Sequence, residues 1–174
     1  MDAALVKKWL ERILGHEGGL SLDGNDPGNW TGGKVGVGEL KGTKYGIAAN
    51  TYPDLDIRAL TVNDAAAIYA RDFLAPLGAE RYPDGVGFQL LDFAVNSGMR
   101  RTVLQLQFAL GLKTDGVIGP MTLAAVQALP EHKMVMLIIS QRIEYMTGLR
   151  NFAHAGRGWM MRMARNLRYA MEDC

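Results

Sequence analysis

The chain holds one cysteine in 174 residues, and that cysteine is Cys174, the last of them. This leaves no internal disulfide framework and no thiol cluster for a metal, and it fits a reducing compartment. Long apolar runs are also missing. The longest, "MVMLIIS" from Met134, is far short of the roughly 20 residues that a membrane-spanning helix needs. Net charge is scarce as well: +1 at pH 7 argues against a globally basic nucleic-acid binder, so no nucleic-acid partner is expected. The histidines His16, His132 and His154 lack metal-ligand spacing and no H-E-x-x-H occurs, so no metal or organic cofactor is expected. The opening "MDAALVKKWLERIL" carries charges inside its apolar run and no small-residue cleavage site, the pattern of a mature helix and not of a secretory signal. Synthesis in the cytosol is the expectation.

What is present is ordinary for a globular protein. Apolar residues make up 48% and charged residues 21%, and the length suits a single domain, 1–174, with a real core. Leu5, Val6, Trp9, Leu10, Ile13 and Leu14 recur at helical spacing. Residues 20–50 differ, being polar and glycine-rich with short apolar pieces such as "KVGVGEL" and "KYGIA", which predicts loop plus a small β-hairpin or three-stranded sheet. Helical patterns then dominate. Thr61 predicts an N-cap with Asp64 in the first turn, "GVGFQLLDFAVNSG" a mostly apolar helix ending at Gly98, and Pro120 the first residue of a helix after the turn "KTDGVIGP". Two longer helices are expected over about 131–148 and 157–172. The fold class is mainly α, α+β, with one small β element near the N-terminus.

Glu17 is the residue that this pattern does not explain. Extending the first helix by a turn sets it three residues after Leu14 and four after Ile13, so its carboxylate continues the apolar face. Burial disfavours the charged form of an acid, which lets it donate a proton near neutral pH. Gly18 and Gly19 suit a sharp helix stop that leaves the acid open to a cleft. A second acid, Asp26, follows in "NDPG", where Pro27 and Gly28 predict a turn that Asp26 would bond. Two carboxylates from a helix end and a facing loop are also what glycoside hydrolysis requires.

The ordered segments "HEGG", "NDP…GG", "GTKYGIA", "YARDFLAPL", "DFAVNSG", "LQFALGLKTDGVIGPMTLAAV" and "GRGWMMRMARN" resemble glycoside hydrolase family 108, the phage and prophage N-acetylmuramidases. The resemblance implies a lysozyme-like helical domain with the catalytic part in 1–98 and a peptidoglycan-binding-type helical part, 99–174, packed on it. It implies cleavage of the β-1,4 bond between N-acetylmuramic acid and N-acetylglucosamine in peptidoglycan, with Glu17 as catalytic acid; the chain is also similar to the broader phage-type lysozymes, which implies Asp26 and Thr43 as companions. Tyr45, Gly46 and Asn96 would then contact substrate. The family segment runs from "DPGG" almost directly into "T-x-Y-G-I", whereas this chain inserts "NWT" after Gly28 and "KVGVGELKG" after Gly33. The insertion offers Glu39 as an alternative to Asp26. The same resemblance implies an endolysin, expected to be a monomer; with no secretory pattern in the opening helix, a holin is the expected means of release from the host cytoplasm to the cell wall. A lytic transglycosylase, or a non-catalytic peptidoglycan-binding or membrane-active protein, is the rival reading.

Three further features have structural readings. Asp92 and Asn96, one turn apart in an apolar helix, must be hydrogen-bonded, and loop backbone is the expected partner. Turn chemistry accounts for Asp115, Gly116, Gly119 and Pro120 without a ligand. The last helix carries Arg162, Arg165 and Arg168 among Trp159, Met160, Met163, Leu167 and Tyr169. It is expected to dock by its apolar face and to offer exposed arginines to an anionic membrane or envelope surface.

Overall fold

The computed structural model describes residues 3–16 and 19–174. Among them are eight α-helices and one two-stranded antiparallel sheet. The chain divides into two compact units, one running to Arg71 and the other from Asp72 to Cys174. The boundary drawn from the sequence, after Gly98, falls inside the second unit.

The first unit opens with α1, Ala3–His16, whose apolar stripe buries Trp9, Leu10 and Ile13. A loop follows in which Asp26 caps a single 3-10 turn, Pro27–Asn29. The inserted residues then form a small finger. Its sides meet at an isolated antiparallel bridge between Trp30 and Leu40, and the Thr31 and Gly32 amides donate to the Glu39 and Val37 carbonyls at 3.0 and 3.1 Å. Trp30 anchors it through Nε1, which donates to the Gly24 carbonyl at 2.9 Å.

The chain next makes the hairpin β1, Thr43–Lys44, and β2, Ile47–Ala48, with Thr43 opposite Ala48 and Lys44 opposite Ile47. Ser21 bridges to Thr43 on the other edge, so the expected third strand is a single residue pair. Gly42 is buried at φ +91°, and a Cβ there would run into the Ser21 carbonyl and the Leu22 side chain. Close approach of the backbones demands glycine. The unit closes with α2, Val62–Tyr69, which has the full capping box: Thr61 Oγ1 accepts from the Asp64 amide and Asp64 from the Thr61 amide.

Across Ala70–Leu74 the chain forms a π-helical turn that leads into the short α3, Ala75–Leu77. In the second unit α4, Asp84–Ser97, is central, with every residue from Gly85 to Ala94 buried. A helix apolar all round has neighbours on all sides, and α4 packs on α5, Met99–Ala109, on α7, Glu131–Thr147, and on α8, Phe152–Asp173. Phe88, Leu90 and Leu91 in α4 are fully enclosed, each contributing about 1.5–3 kcal/mol by burial. Between α5 and α7 lies α6, Pro120–Gln127, with Pro120 in its first turn as the sequence predicts. The last helix starts at Phe152, five residues before the expected start. Gly156 and Gly158 lie inside it, and the Phe152 ring occupies the space where a Gly156 Cβ would sit, 2.8 Å away.

Candidate active site

Glu17, the expected catalytic acid, lies outside the described residues; in sequence it directly follows His16, the last residue of α1. The other candidates are placed, five of them in the first unit.

Asp26 is exposed and extended, and its Oδ1 accepts the Gly28 amide at 2.8 Å. Its turn is tied to the hairpin through Asn29, which the sequence reading missed. The Asn29 side chain is fully buried and its Nδ2 donates to the Asp23 carbonyl at 2.9 Å, while the Asn29 backbone carbonyl accepts the Lys41 and Gly42 amides at 3.1 and 3.0 Å. Gly28 also accepts from the Asn50 amide at 3.0 Å. The loop bearing Asp26 and the strand bearing Thr43 are thus parts of one hydrogen-bonded framework. Thr43 is half-buried at the start of β1, its backbone paired with Ser21 in both directions.

Tyr45 and Gly46 form the two-residue loop of the hairpin, with φ of +53° and +72°. Two consecutive positive φ angles define the type I′ turn, whose twist matches that of the strands. Gly46 is therefore required by the turn itself. Tyr45 is the sole residue other than glycine with positive φ among the described residues. Two neighbours hold it. The Tyr69 hydroxyl, on the buried face of α2, donates to the Tyr45 carbonyl at 2.9 Å, and Lys44 Nζ lies 5.4 Å from the centre of the Tyr45 ring.

Glu39 sits on the inserted finger, where its carboxylate is 3.7 Å from Lys41 Nζ and largely exposed.

In the second unit, Asn96 and Asp92 do not bond loop backbone as expected; side chains of α7 and α8 take that place. Asp92 is fully buried and accepts from Arg142 Nη1, from Arg162 Nε and Nη2 and from Asn166 Nδ2. Asn96 Oδ1 accepts from Arg142 Nη2 at 3.3 Å. Burial alone would raise the Asp92 carboxyl, but the Arg142 and Arg162 charges and their hydrogen bonds outweigh it and hold the group well below the usual carboxylate range. One expectation for α8 is thereby corrected: Arg162 is turned inward onto Asp92 and is not an exposed arginine. Leu167, expected on the docked face, is 45% exposed.

A mainly α chain with a helix, a glycine-rich loop and a small hairpin in its first part has the architecture of a lysozyme-like glycoside hydrolase. Residues 10–98 match the family described as Glycosyl hydrolase 108, and the chain belongs to that family of peptidoglycan-hydrolysing N-acetylmuramidases. The solved structure of Brucella abortus SagA is similar throughout, at 29% identity and a TM-score of 0.83, with 99% of this chain and 97% of that chain covered. Among curated proteins, no sequence match is found.

Proposed function

We propose that this muramidase works as an endolysin, with Glu17 as general acid, Asp26 as its partner and Thr43 assisting. Glu17 gives its proton to the glycosidic oxygen as the bond to C1 of N-acetylmuramic acid breaks. Asp26 stabilises the positive charge at C1 or takes a proton from the attacking water, and Thr43 orients that water. Tyr45 lines the sugar groove, and Gly46 contacts the glycan beside it. The observation that carries this reading is the framework around Asn29, which ties the Asp26 turn to the strand of Thr43. Glu39 is the weaker partner because it stands on the inserted finger, which the family segment lacks, beside Lys41 in a long, exposed pair. The enzyme is made as a monomer in the cytoplasm of a phage-infected cell and reaches the wall through a holin-type pore.

Glu17→Gln on purified sacculi tests the assignment. Turnover is expected to fall by roughly 10²–10⁴-fold, the usual contribution of a general acid, and the wild-type enzyme should release reducing muropeptides. Undiminished lysis by the variant would remove Glu17 from the mechanism, and anhydro-muropeptides as main product would replace hydrolysis with transglycosylation.

A further inference from the structure

The inserted finger builds one wall of an open concavity of about 520 Å³ lined by Glu39, Leu40, Lys41, Asp54, Asp56 and Arg58. We propose that this groove binds the zwitterionic peptide stems of peptidoglycan and so sets which walls the enzyme cuts best; this rests on the muramidase reading.

The walls are braced. Lys41 Nζ donates to the Pro53 carbonyl at 2.7 Å, tying the finger to the 53–58 loop, and Lys44 Nζ donates to the Arg58 carbonyl at 2.8 Å, tying that loop to β1. Asp56 is spent on the loop itself, its Oδ1 accepting the Arg58 and Ala59 amides at 3.1 and 3.2 Å. The exposed side chains of Asp54 and Arg58 and the Glu39 carboxylate remain to face a ligand.

Those groups suit a peptide better than a glycan. The sugar backbone is largely uncharged and is commonly held by aromatic faces and neutral donors, and none of the six lining residues is aromatic. A stem peptide carries an ammonium on its diamino acid and a carboxylate at its end. Carboxylates at Asp54 and Glu39 complement the first, and the Arg58 guanidinium the second, in the fork geometry that arginine offers a carboxylate.

The test compares intact sacculi with glycan strands stripped of peptide by an amidase. For the double variant Asp54→Asn/Arg58→Gln, KM on intact sacculi should rise about 3- to 10-fold, as expected for losing exposed charge pairs, with kcat and the rate on stripped strands unchanged. The wild-type preference for intact sacculi should shrink as salt screens those pairs. Equal KM for variant and wild type on sacculi would overturn the peptide site, while cleavage of stripped strands would leave the muramidase reading standing. A wild-type enzyme inert on both substrates would overturn both.

Discussion

Arg142 reaches from α7 into α4 and binds Asp92 twice, Nη1 to the carboxylate and Nη2 to the backbone carbonyl, with both side chains out of contact with water. Arg162 and Asn166 of α8 close on the same carboxylate at 2.7 Å each, so one buried acid holds three helices together. Its removal would leave the buried Arg142 guanidinium without the carboxylate it now pairs with. Asp92→Asn is expected to cost roughly 3–5 kcal/mol, the usual penalty for breaking a buried pair from one side, and to lower Tm by roughly 6–20 °C. Thermal unfolding followed by circular dichroism checks this, and a change of a degree or two would mean the cluster is energetically minor.

The same carboxylate makes stability depend on acid pH. Its folded pKa lies below the unfolded value of about 3.9, so near and below that pH the unfolded chain binds the extra proton. The contribution is fully present above about pH 4 and is lost as pH falls toward the folded value. Denaturant midpoints measured from pH 7 to pH 2 should therefore decline more steeply for the wild-type protein than for Asp92→Asn. Parallel curves would show that other carboxylates govern acid unfolding.

Much of this was readable in the sequence where the signal is local. The stripe of α1, the Thr61 cap, the end of α4 near Gly98 and the Pro120 start each depend on residues within a few positions of one another, and all four are found. The Asp92 cluster depends on partners 50 and 70 residues away, and no helical period reports that distance. Arg162 looked like surface charge because its spacing matches Arg165 and Arg168. At the site, Asp26 revealed its turn through the following Pro-Gly, whereas Asn29 gave no warning, since a buried asparagine in a polar loop reads like any other loop residue. "YG" hid the hairpin turn in the same way, because the usual signal at its first position is Asn or Asp.

Tyr45 holds a backbone conformation that costs an ordinary side chain about 1–2 kcal/mol. Asparagine tolerates it better, so Tyr45→Asn should stabilise the protein by roughly 0.5–1 kcal/mol even after losing the Lys44 contact. Activity on peptidoglycan should fall in the same variant if the ring lines the sugar groove. A rise in Tm with lower turnover is the expected pair of results. A lower Tm would show that the ring's packing outweighs the strain.

Gln107 does for the 113–119 turn what Asn29 does for the Asp26 loop. Its buried Nε2 donates to Asp115 Oδ1, the Val117 carbonyl and Thr122 Oγ1 at 2.8, 3.0 and 3.3 Å, and its Oε1 accepts the Gly116 amide at 2.8 Å. Gln107→Leu keeps the bulk and deletes every one of these bonds, at about 1–3 kcal/mol for each group left unsatisfied. Amide exchange at Gly116 should quicken sharply while protection in α4 changes far less. Unchanged exchange at Gly116 would show that the turn holds its shape without the amide.

Asp26 and Glu39 can be separated by a pair of substitutions that leave the backbone alone. Asparagine at position 26 still accepts the Gly28 amide that Asp26 now binds, so Asp26→Asn removes charge and keeps the cap. Glu39→Gln removes a carboxylate whose ion pair with Lys41 is long and exposed, a loss of little consequence for folding. With Asp26 as the partner of Glu17, turnover of sacculi should fall by about 10²-fold or more in Asp26→Asn and stay within a few fold of wild type in Glu39→Gln, both at unchanged Tm. The reverse ranking would move the second carboxylate onto the inserted finger, and the framework around Asn29 would then serve only to shape the loop.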